Sequence, residues 1–256
     1  MEQRVAIEGG AILADGSESG NAAIAYLSAH PVLEPQIADG LRSAVSKGRG
    51  GAFFLDVASH RWVARPYRRG GLVALVTRDR FLWTGEERVR SVREWRTLAA
   101  LHALALPVPR PVAARYRRDG WSYRADLVTE RLEGTEPLSA RLERETLSLT
   151  IWIAIGRVLR RLHNAGAYHA DLNAHNILLA GVDAATTHIW VIDFDRGGLR
   201  RPGIWCDANL ARLYRSLRKI SGQLPPDRFG LTEWETLLAS YRSLPAASGD
   251  AAHGTA

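Results

Sequence analysis

The chain has one cysteine, Cys206, so it can form no internal disulfide. That points to the cytoplasm rather than an oxidising compartment. No apolar run reaches the roughly 18 residues that a membrane-spanning helix needs, so any membrane contact is expected to be peripheral. The opening stretch "MEQRVAIEGGAILADGSESG" lacks a basic start followed by an apolar segment and does not read as a signal peptide. There is no internal repeat and no long low-complexity run, which excludes a solenoid.

What remains suits a folded catalyst or binding domain. The 256 residues are 46% hydrophobic, enough for one large domain or one two-lobed domain. The formal charge is +7, a balance that suits nucleic acid, anionic lipid or phosphorylated small molecules as partners. The last residues, Pro245 to Ala256, are small and polar and are expected to form a frayed tail.

The first forty residues read as irregular, with a short helix near Asn21 to Ala29. Phe53 to Val57 and Arg61 to Tyr67 read as a hairpin turning around Ala58 to His60, with Gly48, Gly50 and Gly51 just before it. Ser91 to Ala105 has helical spacing, with Val92, Trp95, Leu98, Ala99 and His102 on one face, and ends before "PVPRP". Ser122 to Arg131 reads as a strand. A longer helix is predicted over Thr146 to Asn164 and is stopped by Gly166. Ile177 to Ala180 and His188 to Ile192 form a second predicted hairpin, followed by helices over Asp207 to Ile220 and Thr232 to Leu244. Strands dominate the first half and helices the second, an α+β pattern in two lobes. The expected division is one domain over 1–244, with lobes of about 1–130 and 134–244.

The polar cluster "YHADLNAHNILL" sits just before a greasy strand. Buried polar groups without partners are costly, so either water or a ligand meets them. His169, Asp171 and Asn176 follow the pattern H-x-D-x-x-x-x-N, and Asp193 in "VIDFDRG" lies 17 residues after Asn176. The hairpin between them allows Asn176 and Asp193 to converge. Two hard oxygen donors of this kind suit Mg²⁺, which shares its ligands with substrate phosphates. Asp171, on the loop before the pair, is placed to accept a proton from an attacking hydroxyl. Those roles together describe phosphoryl transfer. Upstream, the glycines 48, 50 and 51 can bring backbone N–H groups close to phosphate. Arg65, at the end of "WVAR", can reach the α- and β-phosphates, and Glu94 in the first long helix can hold that cation.

"HADLNAHN" and "IDF" resemble the catalytic and metal-binding loops of the protein-kinase-like superfamily. "RPYRRGGLVA", "TRDRFLWTGEERVRSVREW", "YHADLNAHNILL", "VIDFDRGGLRRPGIW" and "NLARLYRSLRKI" together resemble one branch, the 3-deoxy-D-manno-octulosonic acid (Kdo) kinases, over roughly residues 45–245. The resemblance implies a β-rich N-lobe and a mainly helical C-lobe that use ATP and Mg²⁺. It implies Asp171 as base, Asn176 and Asp193 as metal ligands, and Arg65 with Glu94 as the phosphate-anchoring pair. The implied acceptor is the 4-hydroxyl of Kdo on a lipid A precursor, at the cytoplasmic side of the inner membrane. It implies an anionic membrane surface as a partner, no nucleic acid, and no evident protein partner. Arg65 stands where the superfamily usually has lysine, and a planar fork is less adjustable than a point charge. Asp195 stands where the metal loop normally has glycine. Only 11 residues separate Asp193 from Trp205, too few for a long peptide-binding loop.

Plainer readings stand beside these. His169 reads as a brace for its loop and His163 as a structural residue. His169 and His175 lack the spacing and cysteines of a zinc site. "GRGG" is also a common flexible turn. The basic helix "NLARLYRSLRKI", with Arg212, Arg215, Arg218 and Lys219 on its open side, either packs with a solvated face or meets anionic lipid or the acceptor's phosphates and carboxylates; the segment Arg78 to Trp83 either dips into a bilayer surface or packs on the N-lobe. A soluble small-molecule or heptose kinase, and a nucleotide-binding pseudokinase, are the alternative functions.

Overall fold

The computed structural model describes residues 2–33, 51–68, 79–181 and 186–245. Gly48, Gly50, the Gly70–Gly71 pair, Arg78 and the expected tail from residue 246 lie outside the described residues. The chain forms two compact units, Met1–Ala99 with Pro109–Arg131, and Ala100–Val108 with Leu132–Ala256. Residues 100–108 were expected with the N-terminal lobe but group with the second unit. Two bonds within that unit explain this. Val191 N–H donates to Pro107 C=O at 3.0 Å, and Arg161 donates to Ala105 C=O at 3.2 Å.

The first unit is built on a seven-stranded antiparallel sheet. Its strands are β1 (Glu2–Ile7), β2 (Gly10–Asp15), β3 (Phe53–Val57), β4 (His60–Pro66), β5 (Phe81–Leu82), β6 (Pro111–Asp119) and β7 (Ser122–Glu130). The order is β1-β2-β6-β7-β4-β3, and β5 also pairs with β7, beyond the end of β4. Two helices accompany it, α1 (Glu18–Ala29) and, up to Ala99, α2 (Arg90–Ala103).

The start of the chain corrects the expectation of irregular structure. β1 and β2 form a hairpin, and β2 escapes a period-two reading because Ala11, Ile12, Leu13 and Ala14 are all buried, on both faces. Helix α1 begins three residues before the predicted Asn21, because Ser17 caps it: its Oγ accepts from Gly20 N–H at 3.1 Å. α1 packs over Ile12, Leu55, Trp62, Ala64 and Val128 of the sheet, and Trp62 Nε1 donates to Ser19 Oγ at 3.1 Å. On α2 the buried stripe is Val92, Trp95, Leu98 and Leu101, whereas His102 is exposed. The predicted face was thus one residue off at its C-terminal end. β6 was not predicted. Pro111 hides it, since proline is tolerated only at the first position of such a strand.

Arg115 on β6 is a buried cation with every direction answered. Its fork meets Asp126 of β7 at 2.8 Å, and Nη1 donates to the carbonyls of Leu27 and His30 at the end of α1. Pairing of this kind is what permits a charge in a core.

The second unit contains α3 (Leu138–Arg144), α4 (Leu149–Asn164), α5 (Trp205–Ser221) and α6 (Leu231–Ser243). A three-stranded sheet of β8 (Thr135–Pro137), β10 (Ile177–Ala180) and β11 (His188–Val191) has the order β11-β10-β8. A small ribbon pairs β9 (Ala167–Tyr168) with β12 (Gly198–Leu199). α4 buries Ile151, Trp152, Ile155, Leu159 and Leu162 at helical spacing. α6 crosses it so closely that a Cβ on Gly156 would lie 2.4 Å from Leu237 C=O. His163, at the end of α4, is buried; Nδ1 is 2.8 Å from Tyr241 Oη and the ring meets Trp205 edge-on. Burial lowers its pKa to about 4.

Two expectations follow. Gly156→Val should destabilise the protein by about 2–4 kcal/mol through forced separation of α4 and α6, read as a loss in the urea midpoint. His163 stays neutral in the native state while an unfolded chain protonates it near its ordinary 6.5. Its contribution is complete above pH 6.5 and is lost as pH falls towards 4, roughly 3 kcal/mol in all. His163→Gln should therefore flatten the denaturant stability profile over that window relative to wild type.

Candidate active site

The loop from His169 to Asn176 is wired almost wholly by its own polar groups. His169 is buried, and its Nε2 lies 2.8 Å from Ile192 C=O. Asp171 N–H donates to His169 Nδ1 at 3.1 Å. The ring therefore accepts at Nδ1 and donates from Nε2, which defines its neutral tautomer. Burial lowers its pKa and keeps it neutral. Asn209 of α5 holds the same residue through its backbone, accepting from His169 N–H at 3.3 Å and donating to its C=O at 2.9 Å. The histidine is a brace, as its position suggested.

Asp171 stands on that brace. Its backbone carbonyl accepts from Asn173 Nδ2 at 2.9 Å and Asn176 Nδ2 at 3.0 Å. With its nitrogen engaged, Asn176 presents its oxygen as the atom able to hold a cation. Asn176 C=O accepts from Ile192 N–H at 3.0 Å, so β10 and β11 set Asn176 beside the residue preceding Asp193. Asp193 has φ of 66°. Phe194 behind it is buried against the His169 ring, with centroids 4.9 Å apart. His175 is tied to Ser139, Nδ1 to Oγ at 2.7 Å, and plays a structural part. Among the described residues no group of three or more His, Cys, Asp or Glu side chains forms a metal cluster. The expected Mg²⁺ ligands, the Asn176 amide and the Asp193 carboxylate, are hard oxygen groups of the kind Mg²⁺ takes.

The side chain of Asp171 is 62% exposed, and both oxygens have partners. Oδ1 lies 3.2 Å from Arg212 Nη1 of α5, and Oδ2 accepts from Asn173 Nδ2 at 3.3 Å. In the sequence Arg212 stands out only as part of a basic helix face, not as a partner of Asp171. It is one of four cations on a helix whose Leu210, Leu213 and Leu217 face inward, and nothing in the spacing singles it out.

In the first unit Arg65 of β4 does pair with Glu94 of α2, through Nη2 and Oε2. Tyr67 Oη donates to the same Glu94 oxygen and lies 3.2 Å from Arg65 Nη2. Glu94 is buried, so the arginine is held by a desolvated carboxylate, the stronger form of such a bond. Of the three glycines only Gly51 is described; its φ is 65°, and the Arg68 guanidinium lies 3.3 Å from where a Cβ would stand. In the segment after Arg78, Phe81 is buried and Trp83 packs on Tyr116 and Tyr123, while Leu82 is 65% exposed.

A β-rich unit with an Arg–Glu pair and a helical unit with an Asp–Asn–Asp loop define a protein-kinase-like fold. A solved structure, "WaaP in complex with acyl carrier protein", has this fold, with a TM-score of 0.56, 21% identity and 80% of each chain covered. The profile of the Lipopolysaccharide kinase (Kdo/WaaP) family matches residues 40–241, and the chain belongs to that family. It is similar to the 3-deoxy-D-manno-octulosonic acid kinase of Xylella fastidiosa (strain 9a5c), with 50% identity over 204 residues, 79% of this chain and 80% of that one. The kinase of the same description from Xanthomonas campestris pv. campestris (strain B100) is 48% identical over 185 residues, 72% of each chain. The protein is thus a phosphotransferase of the Kdo/WaaP type in lipopolysaccharide synthesis.

The Arg212 contact gives a direct test. The bridge is exposed on both sides, so Arg212→Ala should move the thermal midpoint by less than about 3 °C. Loss of the cation frees the Asp171 carboxylate to rotate, and turnover should fall about tenfold or more. Wild-type turnover in this variant would show that Arg212 does not orient the carboxylate.

Proposed function

We propose that this kinase transfers the γ-phosphoryl group of ATP to the 4-hydroxyl of Kdo on a lipid A precursor such as Kdo-lipid IVA. The observation that carries the reading is the loop in which His169 fixes Asp171 and, through Ile192, the neighbourhood of Asp193. Asp171 accepts the proton of the acceptor hydroxyl as its oxygen bonds to phosphorus and ADP leaves. Arg212 and Asn173 keep that carboxylate turned to receive it. Arg65, steadied by Glu94 and Tyr67, anchors the α- and β-phosphates, and Gly51 with Gly48 and Gly50 supplies backbone N–H groups to them. Asn176 and Asp193 would hold Mg²⁺, which when bound neutralises charge on the phosphates.

The acceptor is lipid-linked, so the enzyme works at the cytoplasmic face of the inner membrane as a peripheral protein. Among the described residues no helix is long and apolar enough to cross a membrane. A basic chain suits both the anionic surface and the anionic acceptor.

Incubation with ATP, Mg²⁺ and the Kdo-bearing lipid A precursor should add one phosphate, read by mass spectrometry. Asp171→Ala should retain ATP binding and lose at least about a hundredfold in transfer. Full transfer by that variant would remove Asp171 as the base, and no added phosphate with the wild type would defeat the acceptor assignment.

A further inference from the structure

One end of the first unit's sheet carries exposed apolar side chains beside a basic hollow. The β6–β7 turn is Gly120–Trp121, and Trp121 at its apex is 84% exposed. β5 lies alongside: Leu82, 65% exposed, pairs with Ser122, and Trp83 N–H donates to Trp121 C=O at 2.9 Å. Trp83 itself is packed on Tyr116 and Tyr123 under the Arg118 guanidinium, which lies 5.3 Å from its ring. The apex is therefore carried on a fixed hairpin.

The strand register places Leu82, Ser122, Asp119, Arg117 and Arg124 on one face of the sheet. On that side lies a hollow of about 250 Å³, whose lining among the described residues includes six arginines and three aspartates. Arg115 and Asp126 neutralise one another, and Arg80 and Arg124 have Asp119 and Asp79 as neighbours at 2.7 Å. The remainder on that face, Arg68 and Arg117, leaves the hollow electropositive, and Arg118 adds a cation on the opposite face over Trp83.

We infer that this end of the sheet docks on an anionic bilayer, with Trp121 and Leu82 entering the headgroup layer and the arginines meeting lipid phosphates. Indole rings settle at the membrane–water interface, and basic side chains beside them add affinity for anionic lipid. A soluble phosphate ligand would require no exposed tryptophan. A stable protein partner would require a wider apolar patch than these two side chains supply. The inference rests on the proposed lipid-linked acceptor, since docking here would keep the kinase where that acceptor is presented.

The test compares wild type with the double variant Trp121→Ser, Leu82→Ser, whose altered side chains lie on the surface. Both proteins are sedimented with vesicles of phosphatidylglycerol and phosphatidylethanolamine, and with neutral phosphatidylcholine vesicles. Wild type should bind the anionic vesicles at least about tenfold more tightly than the neutral ones, and less tightly as salt rises. The variant should lose about fivefold or more in affinity, yet phosphorylate a water-soluble, deacylated Kdo acceptor at the wild-type rate. Equal sedimentation of variant and wild type overturns the inference, as does wild-type binding that ignores vesicle charge or is absent. Failure of wild type to phosphorylate any Kdo-bearing acceptor would instead defeat the acceptor reading, and the vesicle comparison would still decide the docking surface.

Discussion

A neutral, buried imidazole governs the second unit. His169 accepts from the Asp171 backbone on one side and donates to Ile192 on the other. A protonated ring has no acceptor nitrogen, so charging it would break the first bond and leave a cation in a desolvated place. Burial lowers the ring's pKa and favours the neutral form whose two bonds hold both loops in register. Asn209 from α5 and Phe194 from the following loop close around the same ring, so the helix, the Asp171 loop and the Asp193 loop all refer to one side chain.

The first unit solves the complementary problem of holding a cation still. Arg65 has a planar fork, and one buried carboxylate plus a phenol engage its Nη2 end. Arginine stands here in place of lysine, with its fork fixed by Glu94 and Tyr67. A rigid fork suits a site in which the partner, Glu94, is itself immobilised within α2 and Tyr67. Arg115 follows the same rule deeper in the sheet, where a carboxylate and two helix-end carbonyls absorb its charge.

What could be read from the sequence was whatever depends on short spacing. The separations among His169, Asp171 and Asn176 are local, and one hairpin brings Asp193 to them, so those residues announced themselves. Helices α4, α5 and α6 were legible from their apolar period. β2 was not, because its Ala-Ile-Leu-Ala run is buried on both faces and shows no alternation. Arg212 was not, because it meets Asp171 across 41 residues and sits among similar cations on α5. Trp121 was passed over for a related reason. A residue between a turn glycine and a strand acquires meaning only when the neighbouring β5 is known to lie beside it.

Asp193 has a consequence for how the sequence can change over time. With φ of 66°, it occupies a region that L-residues other than asparagine and aspartate seldom accept, at a cost of order 1–3 kcal/mol. Glycine there would relieve the backbone and make a more stable protein that has lost a proposed metal ligand. An aspartate here therefore accepts a backbone cost that glycine would remove, in exchange for a carboxylate that glycine lacks.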